Sequence, residues 1–435
     1  MCTALVVGNI IGVGIFAMPA QLAPYGLNAI SGWLVIAVGC AFLALSFAAL
    51  SRAFPADDGP SAYTERAFGK GAAFIVMWCY WVSIWVANAA IAFGVVGYLA
   101  ILWPALNRTA GLAGTVALGL IWVFVGVNLL GARAAGWVQI VTTALKLVPQ
   151  FAVIALGLWL LLAHPAVYRA HVPPNPPSWH EINSVSTQAM FAMLGIECAM
   201  IPASRVRDPA RTIPRATLSG TVLTALIYVA ISGVPLFVIP QQELAVSTSP
   251  YADLFSRVLG GHYGEAIAAF VLVSGLGVLN GWTLLAGESV QCMSRHGGFP
   301  TAFVQENRHG APARALLLSG VLTSVLLLTH FSDSISQFFN LLIQIATGAT
   351  LPLYLACTLG LLVLRARRQL PQRAGSGAAL YAVALLGVGY CAWLAIGMGT
   401  EPLVWTIALG GAGVPLYLWW LLAQRRAAAA LDAAG

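Results

Sequence analysis

Apolar runs of about 20 residues recur from one end of this chain to the other, and a run of that length is what a helix needs to cross a bilayer's hydrocarbon core. Twelve can be read, at roughly 3–24, 28–51, 72–103, 112–131, 135–163, 185–204, 214–239, 264–293, 313–330, 335–365, 377–398 and 402–424. Inside lipid every backbone N–H and C=O must find its partner within the protein, so such runs fold as helices. Only 8% of the 435 residues are charged, where soluble domains carry roughly 25%, so a water-facing surface cannot be built around a chain of this size. The fold class expected is an all-α polytopic membrane protein of about twelve transmembrane helices. Met1-Cys2-Thr3 leads straight into the first run, so no cleavable signal peptide is expected.

The net charge of +7 would suggest nucleic acid in a soluble protein, but its distribution speaks for a membrane. Seventeen of the 21 Lys and Arg residues, Arg52 to Arg426 and including Arg205, Arg207 and Arg373, fall on one side of the expected helices, and Arg108, Arg169 and Arg257 on the other. The positive-inside rule then puts both termini in the cytoplasm. An integral membrane protein is expected, with the lipid bilayer as partner and no nucleic acid. Seven scattered cysteines form no CxxC pair or metal spacing, so neither a disulfide framework nor a metal site is expected. His164, His171, His180, His262, His296, His309 and His330 lie at segment ends and in loops, which argues against a membrane-embedded enzyme.

Two runs are interrupted in corresponding places. The first carries Gly8-Asn9-Ile10-Ile11-Gly12-Val13-Gly14, the sixth Phe191-Ala192-Met193-Leu194-Gly195-Ile196-Glu197. Glycine weakens a helix, and where a helix opens its N–H and C=O groups are released to other partners. Glycines in membrane helices also serve close packing, but interruptions in both halves of a chain are the pointer to a transporter's midplane site. Gly12, Val13 and Gly14 would offer N–H donors in the first interruption, and Leu194, Gly195 and Ile196 in the second.

Two ionisable residues lie at depth. Glu197, two positions past Gly195, either hydrogen-bonds for stability alone or serves function, by meeting a cationic substrate or by titrating to gate access. Lys146, near the middle of the fifth run, can snorkel to an interface or meet carbonyls of the first interruption. Tyr80 and Asn88, eight apart in the Trp-rich third run, share a helix face. Trp282 sits within the eighth run, away from the headgroup level where tryptophans gather. Proline-rich 171–177, with Pro173, Pro174, Pro176 and Pro177, is expected as an extended external strap.

At these residues the chain resembles the amino acid–polyamine–organocation (APC) superfamily, and within it the bacterial basic amino acid/polyamine antiporters, the arginine:agmatine antiporter among them. The likeness spans essentially the whole chain, including Asp208-Pro209-Ala210-Arg211-Thr212-Ile213-Pro214, Gly281-Trp282-Thr283-Leu284-Leu285 and Gly298-Phe299-Pro300. It implies a LeuT-like 5+5 inverted repeat with discontinuous helices 1 and 6, a transport core over 1–366 (repeats about 1–165 and 180–366) and two further helices over 377–424. It implies substrate binding by Asn9, Ile10, Gly12, Val13, Gly14, Asn88, Ile91, Phe191, Leu194, Gly195 and Trp282, with Tyr80 and Glu197 as the inner gating pair. Val13 stands where the arginine antiporter has a serine, Ile91 replaces a methionine, Phe191 a tryptophan, and the tenth run lacks a serine pair around Ile343 and Gln344. Lys146 is similar to the segment-five lysine of proton-linked or exchange-type amino acid transporters. The implied activity is exchange of cationic amino acids and their decarboxylated amines; the alternative is proton-coupled transport of neutral amino acids. No cofactor and no metal are implied, and a homodimer is the assembly to consider.

Overall fold

Helix is the sole regular element among the described residues, as the apolar runs require. The computed structural model describes residues 2–55, 59–109, 111–173, 175–200, 206, 208–329, 335–371 and 378–432. Arg205, Arg207 and Arg373 of the charge pattern, Pro174 of the strap and His330 lie outside the described residues.

The first run is two helices, α1 (Cys2–Ile10) and α2 (Val13–Leu22). Then come α3 (Asn28–Ala53), the short α4 (Gly59–Phe68), α5 (Lys70–Leu102), the one-turn α6 (Ala105–Arg108), α7 (Leu112–Leu129), α8 (Ala132–Ala163) and α9 (Ala166–Ala170). The sixth run starts as α10 (Trp179–Ala189), six residues before its apolar stretch, because Ser178 caps it by accepting the Glu181 N–H at 3.4 Å. It tightens to a 3₁₀ turn over Met190–Met193 and then leaves helical geometry. Onward run α11 (Pro209–Val238), the short α12 (Gln241–Val246) and α13 (Pro250–Leu259), α14 (Gly261–Arg295), α15 (Ala313–Thr329), α16 (Ile335–Ala366), α17 (Ala378–Ile396), α18 (Thr400–Gly411) and α19 (Gly413–Asp432). The last run is therefore two pieces. Pro415 has no N–H to return to the Gly411 carbonyl, and Gly413 lies so close to Trp78 that a Cβ there would stand 2.5 Å from the indole.

Among the described residues nine helical stretches, with Thr400–Ala423 across α18 and α19 taken as one, are long and apolar enough to cross a membrane. The other apolar runs are the 17-residue α15 and the two interrupted ones. Burial sorts the helices: 83% of the apolar window of α5 is buried, against 11% for Thr400–Ala423. So α5 is the axis, packed along α14 and α16, and α18 with α19 is periphery. Leu34, Val38, Leu385, Leu386, Ile407 and Trp419 are exposed, a cost in water that vanishes against lipid chains.

Close helix approach depends on glycine at the α8–α14 seam. A Cβ at Gly277 would fall 2.2 Å from Thr142 Oγ1 and 2.4 Å from its Cβ, and neither atom belongs to a flexible chain end. Gly277→Val is expected to cost about 1–3 kcal/mol through overpacking. A clear fall in the thermal midpoint of detergent-purified protein would register it; an unchanged midpoint would mean that this contact is not tight.

Candidate functional site

An α-helix ends with four carbonyls that have no partner within it, and the end of α1 lies buried. Each of its four is met. The Val7 carbonyl accepts from the Ile11 N–H at 2.9 Å, and Gly8 accepts from the Lys146 ammonium of α8. Asn9 accepts from the Trp282 indole N–H of α14 at 3.2 Å, and Ile10 from the Tyr228 hydroxyl of α11 at 2.9 Å. Three different helices thus hold one broken end. Across the gap α2 starts at Val13 from an extended Gly12, with no side chain capping it, so its first-turn N–H groups and positive dipole end face the opening.

The second interruption lies directly against the first. Leu194 is extended and Gly195 takes φ +113°, a left-handed value that L side chains rarely adopt. A Cβ on Gly195 would also sit 3.2 Å from the Ile10 nitrogen and 3.3 Å from the Asn9 carbonyl carbon, so glycine lets the two bare backbones touch. Tight turns follow, with Cys198 N–H to the Gly195 carbonyl at 3.1 Å and Met200 N–H to the Glu197 carbonyl at 2.9 Å.

Glu197 is fully buried and receives three donors. The Tyr80 hydroxyl of α5 donates to Oε1 at 2.9 Å, the Tyr354 hydroxyl of α16 to Oε2 at 2.7 Å, and the Gly195 N–H to Oε2 at 3.3 Å. A carboxylate suits this arrangement because it is acceptor-only. A proton on either oxygen would oblige a tyrosine hydroxyl to turn, so the state of Glu197 is tied to how α5 and α16 meet the sixth segment.

The cavity between the interruptions is lined by Asn9, Ile10, Gly12 and Gly14 from the first, Phe191, Ala192 and Leu194 from the sixth segment, Ala87 and Ile91 from α5, and Val278 and Trp282 from α14. Eight of the eleven residues expected to bind substrate therefore come together. Val13 turns instead against Gly94. Gly195 is spent on the contact between the breaks. Asn88 is rotated about 100° from Ala87 on α5 and its Oδ1 is buried without a partner. Val278, Tyr228 and Tyr354 were missed by sequence reasoning. Tyr228 and Tyr354 carried the signal that singled out Trp282, an amphipathic ring at depth rather than at the headgroups.

The cavity holds only about 20 Å³, space for roughly one water. Phe191 closes it, lying 3.2 Å from where a Cβ on Gly14 would stand and edge-on to Phe339 at 6.2 Å between ring centroids. An amino acid can enter only if these side chains or the half-helices move. A larger cavity of about 240 Å³ lies elsewhere, where the start of α5, the end of α14 and α19 meet; it contains a Glu65–His296 pair at 3.0 Å and none of the residues of the breaks.

Unwound backbone, a buried carboxylate and an apolar cleft at membrane depth define a carrier of small polar solutes. The sequence profile of the amino acid permease family matches residues 2–417, and the chain belongs to that family, within the APC superfamily. It is 29% identical over 416 residues to the putrescine transporter PotE of Escherichia coli (strain K12), covering 95% of this chain and 94% of that protein. It is 32% identical over 369 residues to the cadaverine/lysine antiporter of the same strain, covering 82% and 81%. With the putrescine transporter PotE of Haemophilus influenzae it shares 30% identity over 372 residues, 85% of each chain. The chain is accordingly an integral membrane transporter of amino acids or amines, in a family of transporters rather than enzymes.

Tyr354→Phe removes one donor from a buried charged group, a loss of about 1.5–3 kcal/mol. Lower thermal stability together with a displaced pH profile of transport is expected. A variant that matches the wild type in both would separate Tyr354 from the function of Glu197.

Proposed function

We propose that this chain is an alternating-access exchanger of cationic amino acids and their decarboxylated amines, seated in the bacterial inner membrane with both termini in the cytoplasm. The observation that carries this reading is the contact of two interrupted helices beside a buried carboxylate. The N–H groups at the start of α2, from Gly12 to Gly14, with Asn9, receive the substrate's carboxylate. Carbonyls about Leu194 and Gly195 receive its ammonium. Trp282, Ile91 and Phe191 wall the aliphatic chain, and Tyr80 with Glu197 gates the inner side. The names of the relatives, putrescine transporter and cadaverine/lysine antiporter, favour diamines and their parent amino acids over arginine and agmatine.

We read the architecture as twelve spans with a 5+5 inverted repeat, about 1–165 and 180–366, and two further helices over 377–424. The two interruptions, five segments apart, support that reading. A homodimer through the peripheral helices is compatible with it.

A second reading has its own support. Among the described residues no carboxylate lines the cavity itself, and Lys146 holds the Gly8 carbonyl, an arrangement that suits a proton-linked carrier of neutral amino acids. Counterflow in proteoliposomes decides between them: lysine, ornithine, putrescine or cadaverine should exchange. Movement of alanine with a pH gradient, and of none of the cations, would establish the second reading instead.

Lys146→Ala strips the donor from the Gly8 carbonyl and the charge from the seam. Turnover is expected to fall by about tenfold or more, matching the loss of a charged hydrogen bond of ~1.5–3 kcal/mol. Wild-type flux in this variant would mean that neither the charge of Lys146 nor its bond to Gly8 is needed for transport.

A further inference from the structure

The cavity of about 240 Å³ away from the breaks draws its polar side chains from four elements. Ser61 and Glu65 come from α4, Lys70 from the first residue of α5, His296 from just past α14, and Tyr417 from α19. Since α5 and α14 are long enough to span, their ends set the cavity at the boundary between lipid and water. Two contacts hold α19 in place as its wall. Tyr417 stacks on Phe74 at 4.8 Å between ring centroids, and the Trp420 indole N–H donates to the Gly297 carbonyl at 3.1 Å.

The charge of this cavity favours an anion. Its carboxylate, Glu65, is already met by a His296 ring nitrogen at 3.0 Å. The Lys70 ammonium is exposed, and among the described residues no hydrogen bond or ion pair engages it. Ser61 is 2% exposed, and among the described residues its hydroxyl has no hydrogen bond either. The 33-residue α5 starts from Gly69 with no side-chain cap, so its first-turn N–H groups and positive dipole end add to the Lys70 charge. An ammonium, a hydroxyl and an uncapped helix start together suit a group with several acceptor oxygens, such as a phosphate. A metal ion or a substrate amine would meet like-charge repulsion from Lys70.

The source of that anion is read from α19. Only 11% of the apolar window over Thr400–Ala423 is buried, and Leu418, Trp419 and Leu422, beside Tyr417 and Leu421, are exposed. Acyl chains can lie on that face while a headgroup turns in to Lys70. Basic pockets between spanning helices take phospholipid headgroups in this manner.

We propose that this cavity is a site for the phosphodiester headgroup of an anionic phospholipid, with the phosphate held by the Lys70 ammonium, the Ser61 hydroxyl and the start of α5. Its occupant joins the end of α14 to the start of α5, two helices that also line the cleft through Ala87, Ile91, Val278 and Trp282. The composition of the membrane thereby gains a hold on the transport core. The site is independent of which solute is carried.

Delipidated, detergent-purified protein is titrated separately with phosphatidylglycerol, phosphatidylcholine and glycerol 3-phosphate while its thermal midpoint is followed, because a ligand of the folded state raises it. Phosphatidylglycerol is expected to give a saturable rise that phosphatidylcholine does not. Lys70→Gln should weaken that binding about tenfold or more, matching the loss of one charged hydrogen bond, and Ser61→Ala should weaken it several-fold. Arg108→Gln, an exposed arginine beyond the other end of α5, should leave it unchanged. Equal titrations of the wild type and Lys70→Gln would overturn the proposal. So would equal responses to the two lipids, since charge would then play no part. A rise with glycerol 3-phosphate and none with phosphatidylglycerol would also overturn it, by marking a site for a soluble phosphate ester. Should Lys70→Gln fail to fold, native mass spectrometry of the wild type and Ser61→Ala carries the test. The phosphatidylglycerol adduct is expected to thin in that variant, and an undiminished adduct overturns the site.

Discussion

Four carbonyls released at the end of α1, in the interior of a membrane protein, are the constraint around which this structure is arranged. Peptide groups left bare there would each cost several kcal/mol, so the break exists only because α8, α11 and α14 send Lys146, Tyr228 and Trp282 to it. That debt is settled without closing the opposite end of the gap, where α2 starts uncapped. One end of the first break is therefore locked to the surrounding helices and the other is left with donors facing the cavity. Gly195 then lets the second break lie on the first, and Glu197 ties that contact to α5 and α16 through two tyrosines.

The same arrangement explains how a protein can be rigid and yet admit a solute. Its cavity has space for roughly one water, and what closes it is a few side chains, Phe191 and Val278 among them, rather than a wall of backbone. Bonds to the end of α1 come from helices that pack on one another, so displacing that half-helix disturbs several donors together. On the alternating-access mechanism proposed above, this half-helix, with its ends held by different partners, is the element that would have to move.

Much of this was legible in the sequence, for physical reasons. Bilayer thickness sets the run length, so the spans could be read to within a few residues, and glycine inside an apolar run exposed both breaks. Glu197 and Lys146 stood out because charge at depth is expensive. Their partners did not: Tyr354 lies 157 residues from Glu197, and sequence carries no distance information between helices that merely pack. Asn88 illustrates the same limit in reverse. Its spacing from Tyr80 was right for a shared face, but Ala87 and Ile91 face the cavity instead. The break in the last run, between α18 and α19, was not read from the sequence, which showed one run over 402–424; it goes with Pro415 and the close approach of Gly413 to Trp78.

The most direct test of the central claim is a substrate-bound structure of the reconstituted protein with lysine or the amino acid that counterflow identifies. The account predicts the bound carboxylate within about 3 Å of N–H groups between Gly12 and Gly14, with the α-ammonium against carbonyls about Leu194 and Gly195. An amino acid bound elsewhere, with both breaks still closed on each other, would contradict it.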